Sequence, residues 1–467
     1  MAPSPSPIAT FVPVAPDSHF SIHNLPYGVF SSRSDATPRP GVAIGEQVLD
    51  LRAIAAAGLF TGPLLRDSDC FHQTSLNRFM AMGRAAWKET RGTVQKLLSG
   101  KLSNILVGFS WSIDCYCYVC LADEPALRDN TDLRKKAFFP LNEVKMELPA
   151  VIGDYTDFFS SKHHALNCGK IFRGVDALQD NWLHVPIAYH GRSSSIVTSG
   201  HPITRPCGQV APAAGSSSPA FKPSSLLDFE LEMAMFVGPG NELGTQIPVE
   251  SAYDHIFGLV LMNDWSARDI QRWEAIPLGP FLGKSFGTSI NFWFCLYVTK
   301  LFPATTISPW IVTLEALEPF ICNPPAQDPP PLPYLKEPQG KSYDIALEVT
   351  IKPDGDPKGS TICRSNFKHL YWTLGQQLAH HTVNGCNLRP GDLLASGTIS
   401  GPEQGSLGCL LEQSWGGREQ VALENGGSRK FLEDGDEVVI SGHCKGDGYL
   451  VGFGTCSGKL EPPRCSC

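Results

Sequence analysis

The chain has 467 residues, 42% hydrophobic and 18% charged, a globular composition that excludes a wholly disordered protein. Its 46 acidic residues outnumber 38 basic ones and leave a formal net charge of −8, which excludes the broad basic face that nucleic acid or an anionic membrane surface requires. The length predicts two or three domains with ample core.

Met1 to Pro16 is rich in Ala, Pro and Ser, without a basic start or a long apolar run. It reads as neither a secretory signal nor an Arg-rich transit peptide, so a cytoplasmic (cytosolic) protein is expected. The 15 cysteines are scattered from Cys70 to Cys467, which favours reduced thiols over a disulfide framework. Cys115, Cys117 and Cys120 lack the second pair that a zinc site needs. Helices are predicted over Leu76 to Leu98 and Lys368 to Leu378, and 44 glycines and 38 prolines imply many short strands and turns elsewhere. Strands are predicted over Leu226 to Val237 and Tyr343 to Ile351, and an extended polyproline-like loop over Pro324 to Tyr334. A boundary after the charged, helix-like Leu127 to Lys136 divides the chain into 1–148, a small β-rich domain, and 149–467, a larger β-rich catalytic domain. Two apolar, aromatic and cysteine-bearing segments fit their surroundings poorly, about 103–121 and about 291–305. The first contains Asp114 and the second is too short to span a bilayer, so no membrane role is expected.

Four stretches carry chemistry. Gly153 to His164 holds Asp157 and His164, an acid and an imidazole suited to metal binding and proton transfer, or else a polar loop with a capping Asp and a surface His. Leu226 to Phe236 places Asp228, Glu230 and Glu232 two apart, on one face of a strand. Burying like charges together calls for a cation, and an all-oxygen set suits Mg²⁺ or Ca²⁺; a solvent-facing acidic edge strand is the alternative. The buried run Ile256 to Met262 then brings Asp264 to a strand mouth, with Arg268, Gln271 and Lys284 following as groups able to stabilise an oxyanion or enolate. Finally, His380 to Asp392 leads into the Gly- and Ser-rich turn Ala395 to Glu403, a candidate substrate cradle, with His380 and His381 read as structural.

Together GDYTDFFSSKHHA, LLDFELEMA, MNDWSARDIQ, PLGPFLGKSFGT and GCNLRPGDLLASGTISGPE closely resemble the fumarylacetoacetase family, from about Phe11 to about Gly458. The resemblance implies a mainly β (α+β) protein, with a C-terminal mixed β-sandwich or roll behind a small SH3-like N-terminal barrel. It implies a homodimer that hydrolyses 4-fumarylacetoacetate, a small diketo acid, to fumarate and acetoacetate. Carried onto this chain, it makes Asp157, Glu230, Glu232 and Asp264 ligands of Mg²⁺ or Ca²⁺, with a second, structural cation near Lys284 and Thr288. It makes His164 the base that activates water, oriented by Glu412, with Arg268, Gln271 and Lys284 stabilising the oxyanion and the departing carbanion. Phe159, Arg173, Tyr189, Gln271, Ala275 and Thr398 would line the substrate pocket. Phe159 and Ala275 stand where the family pattern has tyrosines, so two hydroxyl contacts are absent. The alternatives are a related acylpyruvate hydrolase or decarboxylase, or a catalytically disabled metal-binding homologue.

Overall fold

The computed structural model describes residues 9–99, 126–174, 178–286 and 305–465. The 103–121 segment, the cluster Cys115, Cys117 and Cys120, and Thr288 lie outside the described residues, as does all of 291–305 except Thr305. Thr305 opens the buried strand Thr305–Ile307 and pairs with Asp264.

Residues 27–50 and 138–147 build a five-stranded antiparallel sheet, ordered Phe138–Pro140, Gln47–Asp50, Arg39–Ile44, Tyr27–Ser32 and Val144–Glu147. The helix expected over Leu76 to Leu98 breaks at Met82–Gly83 into Asn77–Ala81 and Arg84–Leu98. Ala86, Trp87, Thr90, Val94 and Leu98 recur at helical spacing on the buried face of the longer piece.

The larger part is two facing sheets. Leu231–Val237 and Ile256–Asp264 are paired antiparallel at the centre of an eight-stranded sheet, flanked by Leu393–Ala395 and Tyr155–Phe158 on one side and Thr305–Ile307 on the other. The opposing five-stranded sheet contains Ala346–Lys352, Glu437–Lys445 and Leu450–Glu461. Because side chains alternate along a strand, Leu231, Met233 and Met235 join Leu347, Val349, Val438 and Ile440 in the core between the sheets. Ala234 and Phe236 point the other way, into a second core shared with Tyr27, Phe79 and Trp87 of the N-terminal part. The central strands are thus buried on both faces, which is why they read as near-continuous apolar runs. This mainly β, two-part architecture is the one expected.

Two local expectations are corrected. The strand over Leu226 to Val237 is interrupted at Phe229–Glu230, leaving Leu227–Asp228 paired with Ser266–Ala267. The helix over Lys368 to Leu378 begins only at Leu374 and runs to Thr382, because Thr373 and Gln376 form a reciprocal capping box at its start. Cys207 and Cys465 are brought together with Cα atoms 6.4 Å apart. Among the described residues, no helix is long and apolar enough to cross a membrane.

Gly258 lies where the central strand passes Val312, and a Cβ there would sit 2.5 Å from the Val312 carbonyl oxygen. Gly258→Val should destabilise the protein by about 1–3 kcal/mol through overpacking, read as a lower urea midpoint.

Candidate active site and metal centre

Three strands deliver four acids to one place. Asp157 lies near the end of Tyr155–Phe158, in register with Tyr189 on one neighbour and Ala395 on the other. Glu232 is the second residue of Leu231–Val237, Glu230 directly precedes that strand, and Asp264 is the last residue of Ile256–Asp264. One carboxylate oxygen from each of Asp157, Glu230, Glu232 and Asp264 lies within 4.8 Å of the others, and all four residues are buried.

Like charges this close cannot all stay ionised without compensation. Burial opposes ionisation of Glu230, yet Lys284 and Arg268 beside it hold its carboxyl well below the usual range. Arg268 donates to Glu230 Oε1 at 2.7 Å and to Asp228 Oδ2 at 2.9 Å. Lys284 Nζ donates to Glu230 Oε2 and, at 2.5 Å, to Asp264 Oδ2. Asp157 and Glu232 have no such partner: burial, with Asp264 or Asp157 as the next cause, pushes both carboxyls well above the usual range. Asp157 Oδ1 and both Glu232 oxygens are buried without a hydrogen-bond partner. An all-oxygen set with orphaned oxygens fits a hard divalent cation. Asp228 does not join the cluster. It accepts from the Leu410 and Leu411 amides at 2.8 and 2.9 Å and holds Arg268 in place.

The second component is a buried pair. Ser161 caps the helix Lys162–Arg173 and sets His164 in its first turn. His164 is buried, not a surface residue, and its Nδ1 lies 2.7 Å from Glu412 Oε2. Asn167 Nδ2 and Ser400 Oγ each donate to Glu412 at 2.7 Å. Burial works against a charged ring at His164, but Cys168 and Glu412 overcome it and raise its pKa well above the usual imidazole value. His164 in turn lowers Glu230, so the pair and the carboxylate cluster share one electrostatic environment. Such a pair takes a proton from a bound nucleophile and stabilises the charge that results.

The remaining predicted residues divide. The Phe159 ring stands edge-on to His164 with centroids 5.3 Å apart. Tyr189 Oη donates to Asp264 Oδ2 at 2.8 Å. Gln271 accepts from Arg268 at 3.3 Å, and Ala275 ends the same helix, Arg268–Glu274. Thr398 is buried in the run that bonds alongside Leu231 and Met233, where Gly397 (φ 76°) passes so close to the Phe158 carbonyl that a Cβ would clash at 2.1 Å. Arg173 is not brought to the cluster: it is exposed in the last turn of the helix that holds His164 in its first, a rise of roughly 13 Å from His164. His381 accepts or donates at Thr156 (2.8 Å) and His380 at Tyr334 (3.1 Å), contacts consistent with structural roles. Sequence reasoning missed Asn167, Ser400, Cys168 and Cys409 around the pair. Only the helical spacing of Asn167 and Cys168 from His164 could have signalled any of them.

A family model described as fumarylacetoacetate (FAA) hydrolase C-terminal matches residues 155–461, and one described as fumarylacetoacetase N-terminal matches residues 23–107. The chain is 59% identical to the Arabidopsis thaliana protein called fumarylacetoacetase, over 97% of this chain and 99% of that one. The Oryza sativa subsp. japonica protein of that name is 56% identical over 98% of each chain. The Homo sapiens one is 55% identical over 97% of this chain and 99% of its own.

Adding Mg²⁺ or Ca²⁺ to chelator-treated protein should raise its unfolding temperature, with about 2.7 kcal/mol of stabilisation at a free cation level ~100-fold above Kd. Glu232→Gln should remove most of that gain. Raised folded pKa values at Asp157 and Glu232 mean that, without a cation, their stabilising contribution is present in acid and lost as pH rises through those values. The thermal gain on adding cation should therefore be larger at neutral than at mildly acidic pH.

Proposed function

The chain belongs to the fumarylacetoacetase family, and from that premise we propose that it hydrolyses a carbon–carbon bond of 4-fumarylacetoacetate, releasing fumarate and acetoacetate. The observation that carries this reading is the buried His164–Glu412 pair beside the buried cluster of Asp157, Glu230, Glu232 and Asp264. A Mg²⁺ or Ca²⁺ ion held by those four carboxylates would polarise the diketone and lower the cost of an enolate leaving group.

The chain's own groups account for the rest. Glu412 occupies the Nδ1 side of His164, which leaves Nε2 as the atom that takes the proton from the attacking water. Charge that develops on the imidazole is matched by the carboxylate behind it, itself fixed by Asn167 and Ser400. Lys284, Arg268 and Gln271 supply the donors for the tetrahedral oxyanion and for the departing carbanion. Phe159, Tyr189, Ala275, Thr398 and Arg173 are assigned to the substrate wall, with Arg173 needing to be reached by a substrate that extends beyond the cluster. The Lys284 ammonium is committed to Glu230 and Asp264, so a second cation near Lys284 and Thr288 would draw on the Lys284 backbone carbonyl. We assign the activity to a cytosolic homodimer working on a small diketo acid without nucleic acid or membrane, divided at residues 148 and 149.

The test is loss of fumarylacetoacetate absorbance with purified protein, with and without EDTA; turnover that EDTA does not reduce would sink the metal-dependent reading. His164→Ala should lower turnover on the order of a hundredfold or more while leaving cation affinity nearly unchanged. The ring must start neutral to accept a proton, and Glu412 raises its pKa. Glu412→Gln should therefore lower kcat and also move the acid limb of the pH–rate profile to lower pH. Phe159→Tyr should lower KM if the missing hydroxyl is a substrate contact, with little change in the dyad's pH profile.

A further inference from the structure

The His164–Glu412 pair is flanked by sulfur. Cys168 lies one turn beyond His164 on the helix Lys162–Arg173, on the same face, with Sγ 3.5 Å from Nε2 and 4.0 Å from Nδ1. From the opposite side, Cys409 Sγ lies 3.2 Å from Glu412 Oε2. One ligand atom each from His164, Cys409 and Glu412 falls within 4.8 Å of the others, and all three residues are buried.

We infer that His164, Cys168, Cys409 and Glu412 form a second metal site, selective for a thiophilic divalent ion such as Zn²⁺, whose occupation switches the enzyme off. A tetrahedral ion with bonds of ~2.0–2.3 Å has ligand–ligand edges of roughly 3.3–3.8 Å. The edges Nδ1 to Glu412 Oε2 at 2.7 Å and Cys409 Sγ to Oε2 at 3.2 Å fall just short of that span, and Cys168 Sγ, 4.0 Å from Nδ1 and outside the group of three, must turn inward to complete the set. Two sulfurs and an imidazole nitrogen favour Zn²⁺ over Mg²⁺ or Ca²⁺, just as the oxygens of the first cluster favour the reverse. Cys168 is only partly buried and gives an ion a way in. On binding, the two thiol protons leave to solvent and both sulfurs coordinate as thiolates; no electron moves. The ion takes the Nδ1 lone pair, the ring's one proton passes to Nε2, and Nε2 then has no lone pair for the water proton.

The binding stands on geometry alone, whereas the inhibition rests on His164 being the base. Full-length protein saturated with Mg²⁺ is titrated with Cd²⁺, followed by the ultraviolet thiolate-to-cadmium charge-transfer band, with Zn²⁺ as competitor. One equivalent per chain should bind, and Zn²⁺ should inhibit turnover reversibly to a chelator. Cys168→Val and Cys409→Met should weaken the band and require roughly tenfold or more Zn²⁺ for half-loss of the turnover each variant itself retains. Cys168→Ser serves as the milder variant if a replacement disturbs folding. No band in the unaltered protein, or an equal band and equal Zn²⁺ sensitivity in the variants, would overturn the site. Binding that the variants abolish but that leaves turnover untouched would overturn the inhibition, and with it the role given to His164.

Discussion

The constraint on which the rest of the structure depends is the burial of four carboxylates within 4.8 Å of one another. A buried unpaired charge is costly by several kcal/mol, so a fold that keeps such a cluster must answer each member separately. Glu230 receives both Lys284 and Arg268. Asp264 receives Lys284 and the Tyr189 hydroxyl. Arg268 is held from behind by Asp228, whose second task is to accept two backbone amides at the start of the Leu410–Gln413 helix. That one helix carries Glu412, so the support for the metal centre and the orientation of the catalytic pair meet in Asp228.

The apolar architecture explains why the acids can be held so closely. Leu231–Val237 and Ile256–Asp264 are buried on both faces, between the opposing sheet and the N-terminal helical layer. A strand clamped in this way cannot slip by one residue without turning its methionines and phenylalanine to the wrong core. Register is therefore fixed by packing, and the acids at the strand ends inherit that precision. Among the described residues the N-terminal part contributes no acid to the cluster, but Tyr27, Phe79 and Trp87 close the face on which Ala234, Phe236 and Met262 lie.

Glu230 and Glu232 were legible in the sequence because a two-residue alternation beside apolar residues has few physical explanations, and Asp264 because it ends a long apolar run, whereas Asp157 was marked as a ligand only by the family resemblance. The same alternation misplaced Asp228: the strand is interrupted at Phe229–Glu230, and that break is set by pairing with Ser266–Ala267, which no local pattern reveals. The capping signal Thr373 to Gln376 was present in the sequence, but the apolar spacing before it suggested an earlier helix start. The burial of His164 was invisible from its polar neighbourhood, since it depends on Glu412, which lies 248 residues away. Ser400 and Asn167 were unreadable for the same reason; their contacts to Glu412 span 12 and 245 residues. Arg173 was carried in by family pattern alone, and the helix that begins beside His164 takes it away from the cluster.

The coupling between the two halves of the site bears on proton transfer itself. Glu230 is lowered in part by the charge of His164, so a proton taken up by the ring is felt at the carboxylate cluster. Asp157 and Glu232, biased toward their neutral forms by burial and by their acidic neighbours, are not what raises the ring. The basicity of His164 is set against its burial by the groups beside it, Cys168 and Glu412, the latter in contact with Nδ1. The apolar ring at Phe159, packed edge-on against the imidazole, adds to that burial without adding charge.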